Sequence, residues 1–238
     1  TTINHDFSLN ANDKMTVAEN SSLTVTGTLS NANPENLILE NGAQIVHNSE
    51  GVQATVKKTI TPYTANDNGW NFIASPVTEN LTPSTDNGLI ANEYDLYYYD
   101  EPEHHWRNYR KSTFDLAYKQ GYLYANNTET TLQFEGTLVA SNAAVPVTGL
   151  SHSAKILNGF NLVGNPFACN AFVNQDFFGV NGNSVAKLAP TDRAITPCEG
   201  IFVKADSDAY TVTFTRANGA KANGNGKCLD LVVTQGKT

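Results

Sequence analysis

The residues best equipped for chemistry are concentrated between Tyr94 and Arg110. Within this run stand Tyr94, Tyr97, Tyr98, Tyr99, Trp106 and Tyr109, interleaved with Asp95, Asp100, Glu101, Glu103, His104, His105 and Arg107. Aromatic faces flanked by carboxylates and amides suit a sugar, whose C–H surface stacks on a ring while its hydroxyls take directional hydrogen bonds. On a strand, alternation sends Tyr97 and Tyr99 to one face and Tyr98 to the other, so one set is core and the other is available. The ligand set expected here is Tyr98, Trp106 and Tyr109 with Asp100 and Arg107, and the partner a glycan or a host surface protein. The plainer reading is that the same rings are cross-strand pairs that stabilise a hairpin.

Other chemistries find less support. His104 and His105 beside Glu101 and Glu103 suggest a metal, but adjacent strand residues point to opposite sides and Pro102 marks an exposed turn, so no metal ligand is nominated. Turns such as Ala65-Asn66-Asp67-Asn68-Gly69, Asp86-Asn87-Gly88 and Asn181-Gly182-Asn183 offer oxygen atoms to calcium, yet none has the spacing of a calcium loop. No G-x-S-x-G elbow, H-E-x-x-H helix or phosphate loop occurs, the carboxylates are scattered, and neither a catalytic residue nor a cofactor is expected. Three cysteines, Cys169, Cys198 and Cys228, form no C-x-x-C pair. A Cys169–Cys198 disulfide is the favoured pairing, because each lies next to an element of the same repeat; three buried thiols are the alternative.

The elements that must hold these residues are strands. Short alternating segments bounded by Asn, Gly, Pro and Asp recur along the whole chain, and no apolar set holds a helical period for three turns. Strands are expected at 70–74, 94–99, 105–110, 121–125, 131–138, 145–150, 160–164, 200–204, 210–216 and 228–234. Two stretches repeat. Gly69-Trp70-Asn71-Phe72-Ile73-Ala74-Ser75-Pro76-Val77 returns 90 positions on (159 − 69) as Gly159-Phe160-Asn161-Leu162-Val163-Gly164-Asn165-Pro166-Phe167. Gly121-Tyr122-Leu123-Tyr124-Ala125 returns 79 positions on (200 − 121) as Gly200-Ile201-Phe202-Val203-Lys204. Repetition at this period marks a duplicated supersecondary unit, and Gly-aromatic-Asn-apolar-apolar-x-x-Pro reads as strand plus strand end. The expected fold is all-β: solenoid-like or meander strands over 1–60, then an antiparallel β-sandwich region with an internal duplication, its units at 61–150 and 151–238. Between its matched pieces only the first copy carries the aromatic, acidic hairpin, which marks that hairpin as the place where a function was added.

Composition narrows the partners. With 15 Lys and Arg against 23 Asp and Glu the formal charge is −8, which repels nucleic acid and anionic lipid. No apolar stretch is long enough to span a bilayer as a helix, and the N-terminal residues carry no signal-peptide core, which reads as a piece of a larger chain. The low charged fraction of 16% leaves surfaces covered by Asn, Thr, Ser and Gly, as in secreted β proteins. The two Gly-aromatic-Asn motifs, the Leu96-Tyr97-Tyr98-Tyr99-Asp100 to Trp106-Arg107-Asn108-Tyr109 hairpin and Gly121-Tyr122-Leu123-Tyr124-Ala125-Asn126 together resemble β-rich extracellular segments near the C-terminal end of large secreted or surface proteins of Bacteroidetes bacteria, just after solenoid-like stretches. The resemblance covers roughly residues 14–217 and carries no catalytic residue; Cys198 departs from its pattern. It implies an extracellular or cell-surface location and a noncatalytic role in attachment or display. The competing expectations are an accessory domain of a secreted hydrolase or peptidase and a ligand-free stalk unit.

Overall fold

The computed structural model describes residues 1–64, 69–153, 158–181, 184–217 and 233–234. The first sixty residues hold β1 (Thr2–Ile3), β2 (Phe7–Leu9), β3 (Lys14–Val17), β4 (Ser22–Val25), β5 (Leu29–Asn31), β6 (Leu37–Leu39), β7 (Gln44–Val46) and β8 (Gln53–Ile60). All pairings among them are parallel: β1 with β4 with β7, β2 with β5, and β3 with β6 with β8. Thr2 lies beside Thr24, Phe7 beside Leu29, Met15 beside Leu37 and Ser22 beside Gln44, and the Asn4–Thr26 and Glu19–Asn41 side-chain bonds span the same 22 residues. The chain therefore retraces a three-strand circuit at that interval. Alternate residues fill its inside, with Met15, Val17, Leu23, Val25, Leu37, Leu39 and Ile45 all buried. Corners leave carbonyls without strand partners, and asparagine amides supply the missing donors: Asn31 Nδ2 donates to the carbonyls of Asn33 and Gln53, and Asn36 Nδ2 to that of Asn10. The 3-10 turn Pro34–Asn36 is the helical piece here, and among the described residues no helix is long and apolar enough to cross a membrane.

Strand β8 leaves the circuit. It is followed by β9 (Asn71–Ala74), β10 (Tyr94–Asp100), β11 (His105–Asn108), β12 (Gly121–Asn126) and β13 (Thr130–Thr137). β13 runs antiparallel to β8 over eight residue pairs, while the others form a sheet in the order β11-β10-β12-β9. Val56 and Phe134 from the first pair, and Leu96, Tyr122 and Tyr124 from the sheet, join the coil interior in one buried cluster. Next come β14 (Ala144–Leu150), β15 (Phe160–Gly164), β16 (Ala171–Val173), β17 (Phe177–Asn181), β18 (Ser184–Leu188), β19 (Gly200–Lys204) and β20 (Tyr210–Arg216). Their sheets are β18-β17-β19-β15 and β14-β20-β16, around a second cluster containing Val147, Phe167, Phe177, Ile201, Val203, Val212 and Phe214. β21 (Val233–Thr234) pairs antiparallel with β3.

One feature differs from the sequence expectation. Strands β16, β17 and β18 were not anticipated, and β17 pairs antiparallel with β18 from Phe177 opposite Leu188 to Asn181 opposite Ser184. β14 hydrogen-bonds to β20, and the β10–β11 and β17–β18 hairpins each lie at one edge of a four-stranded sheet.

The two four-stranded sheets meet at a pair of matching turns. Gln120 N–H donates to Ala117 O at 3.2 Å and Glu199 N–H to Thr196 O at 3.3 Å, with Lys119 and Cys198 both left-handed at φ 69 and 59. Each turn serves the other sheet: Gly164 N–H donates to Lys119 O at 2.8 Å and Ala74 N–H to Cys198 O at 3.1 Å. Backbones this close leave no space for side chains. A Cβ on Gly121 would lie 2.8 Å from Val163 O, and one on Gly200 would lie 3.0 Å from Ile73 O. The coil is fastened to the second group through Ile45 N–H to Ala168 O and Asn170 N–H to Gln44 Oε1, both 2.9 Å.

The cysteine expectation is corrected. Cys169 and Cys198 are free thiols, both buried. They sit in different apolar clusters, Cys198 in the first and Cys169 in the second, which keeps them from pairing. Burial pushes their pKa values up to about 12 and about 11 respectively, so neither is a reactive thiolate near neutral pH. Cys228 lies outside the described residues.

Candidate functional site

Cross-strand register decides which hairpin side chains face where. Tyr97 pairs with Asn108, Tyr98 with Arg107, Tyr99 with Trp106 and Asp100 with His105. Leu96, Tyr98, Asp100, Arg107 and Tyr109 therefore share the face that carries Leu96 into the first cluster, and Tyr97, Tyr99 and Trp106 share the opposite one. Four of the five expected ligand residues thus have the core's parity. Tyr98 packs edge-on against Phe114 with centroids 4.9 Å apart. Tyr109 is 8% exposed, contacts Phe114 at 5.2 Å and donates its hydroxyl to Pro83 O at 3.5 Å. Tyr109 is thus a core residue, and Tyr98 is half-buried against the same cluster, both on the inner face of the sheet. At the rim of that face Arg107 directs Nε and Nη2 onto Asp100 Oδ2 at 2.9 and 2.7 Å, so the pair satisfies itself.

Trp106 is 40% exposed on the outer face and belongs to a larger aromatic surface. Trp70, which enters β9 and is 38% exposed, meets Tyr97 edge-on at 5.9 Å. Tyr97 and Tyr99 stand two residues apart on β10, about 7 Å along the strand. Tyr99 meets Trp106 at 5.2 Å, and Phe202 of β19 closes on both rings at 5.6 and 6.0 Å. From there Phe72 of β9 packs on Phe202 at 5.4 Å, and Phe160 and Phe178 continue the rings across the second sheet. Edge-to-face packing holds each ring at a fixed tilt and leaves the two indoles open to solvent. Sequence reasoning placed Tyr97 and Tyr99 on a common face but left them out of the ligand set, and it missed Trp70 and Phe202. The parity of Trp106 opposite Tyr99 was the signal for the hairpin rings, whereas Phe202 required knowledge of the sheet contact.

At the hairpin tip, Glu101, His104 and Ser153 form a serine–histidine–carboxylate group. Ser153 Oγ lies 2.8 Å from Glu101 Oε1 and 2.6 Å from His104 Nε2, with His104 Nε2 and Glu101 Oε1 4.0 Å apart. Glu101 also accepts Gly159 N–H at 2.7 Å and Ser153 N–H at 2.9 Å. Burial raises the pKa of this carboxyl, but the hydrogen bonds from Gly159, Ser153 and Ser151 outweigh it and hold the value to about 2. An ionised Glu101 takes the single Ser153 hydroxyl proton, so the imidazole, as assigned from this network, donates to the hydroxyl oxygen instead of receiving from it. A nucleophile requires the reverse wiring, with the carboxylate on the far ring nitrogen. The group acts as a clasp between the hairpin tip and the loop before β15, and His104 takes φ 57 to close the turn.

Two clefts flank the matching turns. One of about 290 Å³ is lined by Tyr99, Tyr118, Gln120, Leu150 and Leu162 among others; the second, of about 230 Å³, by Lys58, Asn71, Phe72, Arg193, Thr196 and Glu199. In the second, Arg193 grips Glu199 with Nη2 to Oε1 at 2.5 Å and Nη1 to Oε2 at 3.1 Å. Among the described residues no three His, Cys, Asp or Glu side chains gather as a metal site. At the Asp86-Asn87-Gly88 turn, Asn87 Oδ1 accepts the Ser84 and Leu89 amides, which is turn formation. Comparison with protein-family models, with curated proteins and with solved structures finds no match for this chain.

Proposed function

We propose that this chain is a noncatalytic extracellular or cell-surface module that attaches to or displays on a surface by binding glycan on the face formed by Trp70, Tyr97, Tyr99 and Trp106. In this reading the 22-residue circuits are a short β-solenoid, and the two groups of strands are diverged copies of one β-sandwich unit. Their identical sheet orders and the matched turns at 117–120 and 196–199 support common descent. The kinship with Bacteroidetes surface proteins belongs to the same proposal.

One observation carries it. Both tryptophans of the chain are exposed, and both lie in one row of rings, Trp70 edge-on to Tyr97 and Trp106 tilted against Tyr99. Large rings displayed together on a folded surface mark a binding face, and these present flat apolar area with flanking Asn108 and Asp95 at the row's edge. The noncatalytic part rests on the clasped wiring of Glu101, Ser153 and His104. The test is an array of immobilised oligosaccharides probed with the native chain and with Trp106→Ala. Binding by the native chain that falls at least tenfold in the variant, with an unchanged thermal midpoint, supports the proposal; an array that stays dark, or equal binding by both, refutes it.

A further inference from the structure

The two clefts beside the matched turns occupy corresponding places, yet their chemistry is opposite. Gln120 and Glu199 each precede a crossing glycine, Gly121 or Gly200, and each closes a turn. Glu199 is fully engaged: besides the Arg193 fork, its Oε2 accepts Thr196 N–H and Thr196 Oγ1, both at 2.9 Å. The polar groups of that cleft are therefore already paired with one another. Gln120, by contrast, makes no side-chain hydrogen bond to any described residue, and neither do the hydroxyls of Tyr118 and Tyr99. Three residues with uncommitted polar groups thus line one hollow of about 290 Å³, whose other walls mix Val147, Leu150 and Leu162 with Lys119, Thr148 and Asn161.

A concave hollow with a few unpaired polar groups is a form that small-molecule sites take, and this one is more polar than apolar in its lining and lies just under the usual range of about 300–1,000 Å³. The polar complement sets the ligand class. No carboxylate lines the hollow, and its one cation, Lys119, donates to Pro146 O at 2.9 Å and sits over the Tyr118 ring. Burial raises the phenol pKa values of Tyr118 and Tyr99, so both remain hydroxyl donors around neutral pH. A carboxamide and two phenols match the donor and acceptor hydroxyls of an uncharged sugar. Tyr99 belongs to both the hollow and the aromatic row, so one ligand can reach both.

We infer that the hollow lined by Tyr99, Tyr118 and Gln120 takes one neutral sugar ring of a glycan whose neighbouring rings lie along Tyr99 and Trp106, and that the Arg193–Glu199 cleft is its counterpart with polar groups already paired. This inference rests on the glycan-binding reading above. It is tested by titration calorimetry with the neutral tetra- to hexasaccharide that scores highest on the array, using the native chain, Trp106→Ala, and a Tyr118→Phe/Gln120→Ala double variant whose thermal midpoint is checked. Losing hydrogen bonds from two side chains is expected to weaken binding by roughly ten- to a hundredfold. Binding by the native chain is expected to change less than twofold between low and high salt, as befits an uncharged ligand. If the double variant binds like the native chain while Trp106→Ala does not, the hollow is not part of the site and the aromatic face alone stands. If no neutral oligosaccharide binds the native chain, both fall.

Discussion

At the scale of single residues, the charged and polar groups in the interior serve the joints between elements. His47, 1% exposed, lies where the last coil strand meets Ser141, with its main chain exchanging bonds to Ser141 Oγ at 3.2 Å and from Ser141 N at 2.7 Å. Its Nδ1 is buried without a partner, and burial holds the imidazole pKa down to about 4. A depressed histidine pKa means the unfolded chain binds the proton first, so stability is complete above 6.5 and drains away as pH falls to about 4. Glu101, held to about 2 from 4.5, adds stability above 4.5 that is lost as pH falls toward 2. Each shift corresponds to about 3 kcal/mol at most. Urea unfolding of the native chain is therefore expected to weaken in two stages on acidification from pH 7 to 3. Glu101→Gln should lower stability at pH 7 and flatten the lower stage alone; the same pH slope below 4.5 in the native chain and the variant would remove Glu101 from that role.

At the scale of elements, alternation makes the hairpin legible and also misleads. The apolar and aromatic periodicity of residues 94–109 suffices to locate β10 and β11, and it separates Tyr98 from Tyr97 and Tyr99. It does not say which face is inside. That depends on Phe114, which lies outside both strands and packs on Tyr98 and Tyr109, and on the buried cluster that takes in Leu96, contacts invisible in the alternation of the strands. β17 and β18 were missed for a different reason: Phe177-Phe178-Gly179-Val180 and Val185-Ala186-Lys187-Leu188 are short, and Gly179 breaks the alternation. The glycines of the repeated motifs were read as strand and turn punctuation, and their further job is to let two sheets cross. Gly121→Ala places a methyl against Val163 O, and overpacking of this kind costs about 1–3 kcal/mol. Chemical unfolding of Gly121→Ala should show that loss, whereas Gly51→Ala, whose added carbon meets nothing within 4 Å, should lose less despite its φ of 70. Equal losses would deny the crossing its steric basis.

Across the whole molecule, the coil, the first group of strands and the second are joined by strand pairing and by the Glu101 clasp, and the aromatic surface spans the last two groups. The all-β class and the repetition of motifs could be read from residues 69–77 and 159–167, but the site could not, because Trp106 and Phe202 meet only once the two sheets are in contact. That contact also places Tyr99 between the row and the hollow. The chain contains two tryptophans, Trp70 and Trp106, and both stand in the row, so its tryptophan fluorescence, excited selectively over the ten tyrosines, reports on this face. The decisive measurement is acrylamide quenching of that fluorescence with and without a saturating neutral oligosaccharide selected on the array. The account predicts a blue-shifted emission and clear protection from quenching in the sugar's presence. Unchanged emission and quenching under saturation would contradict it.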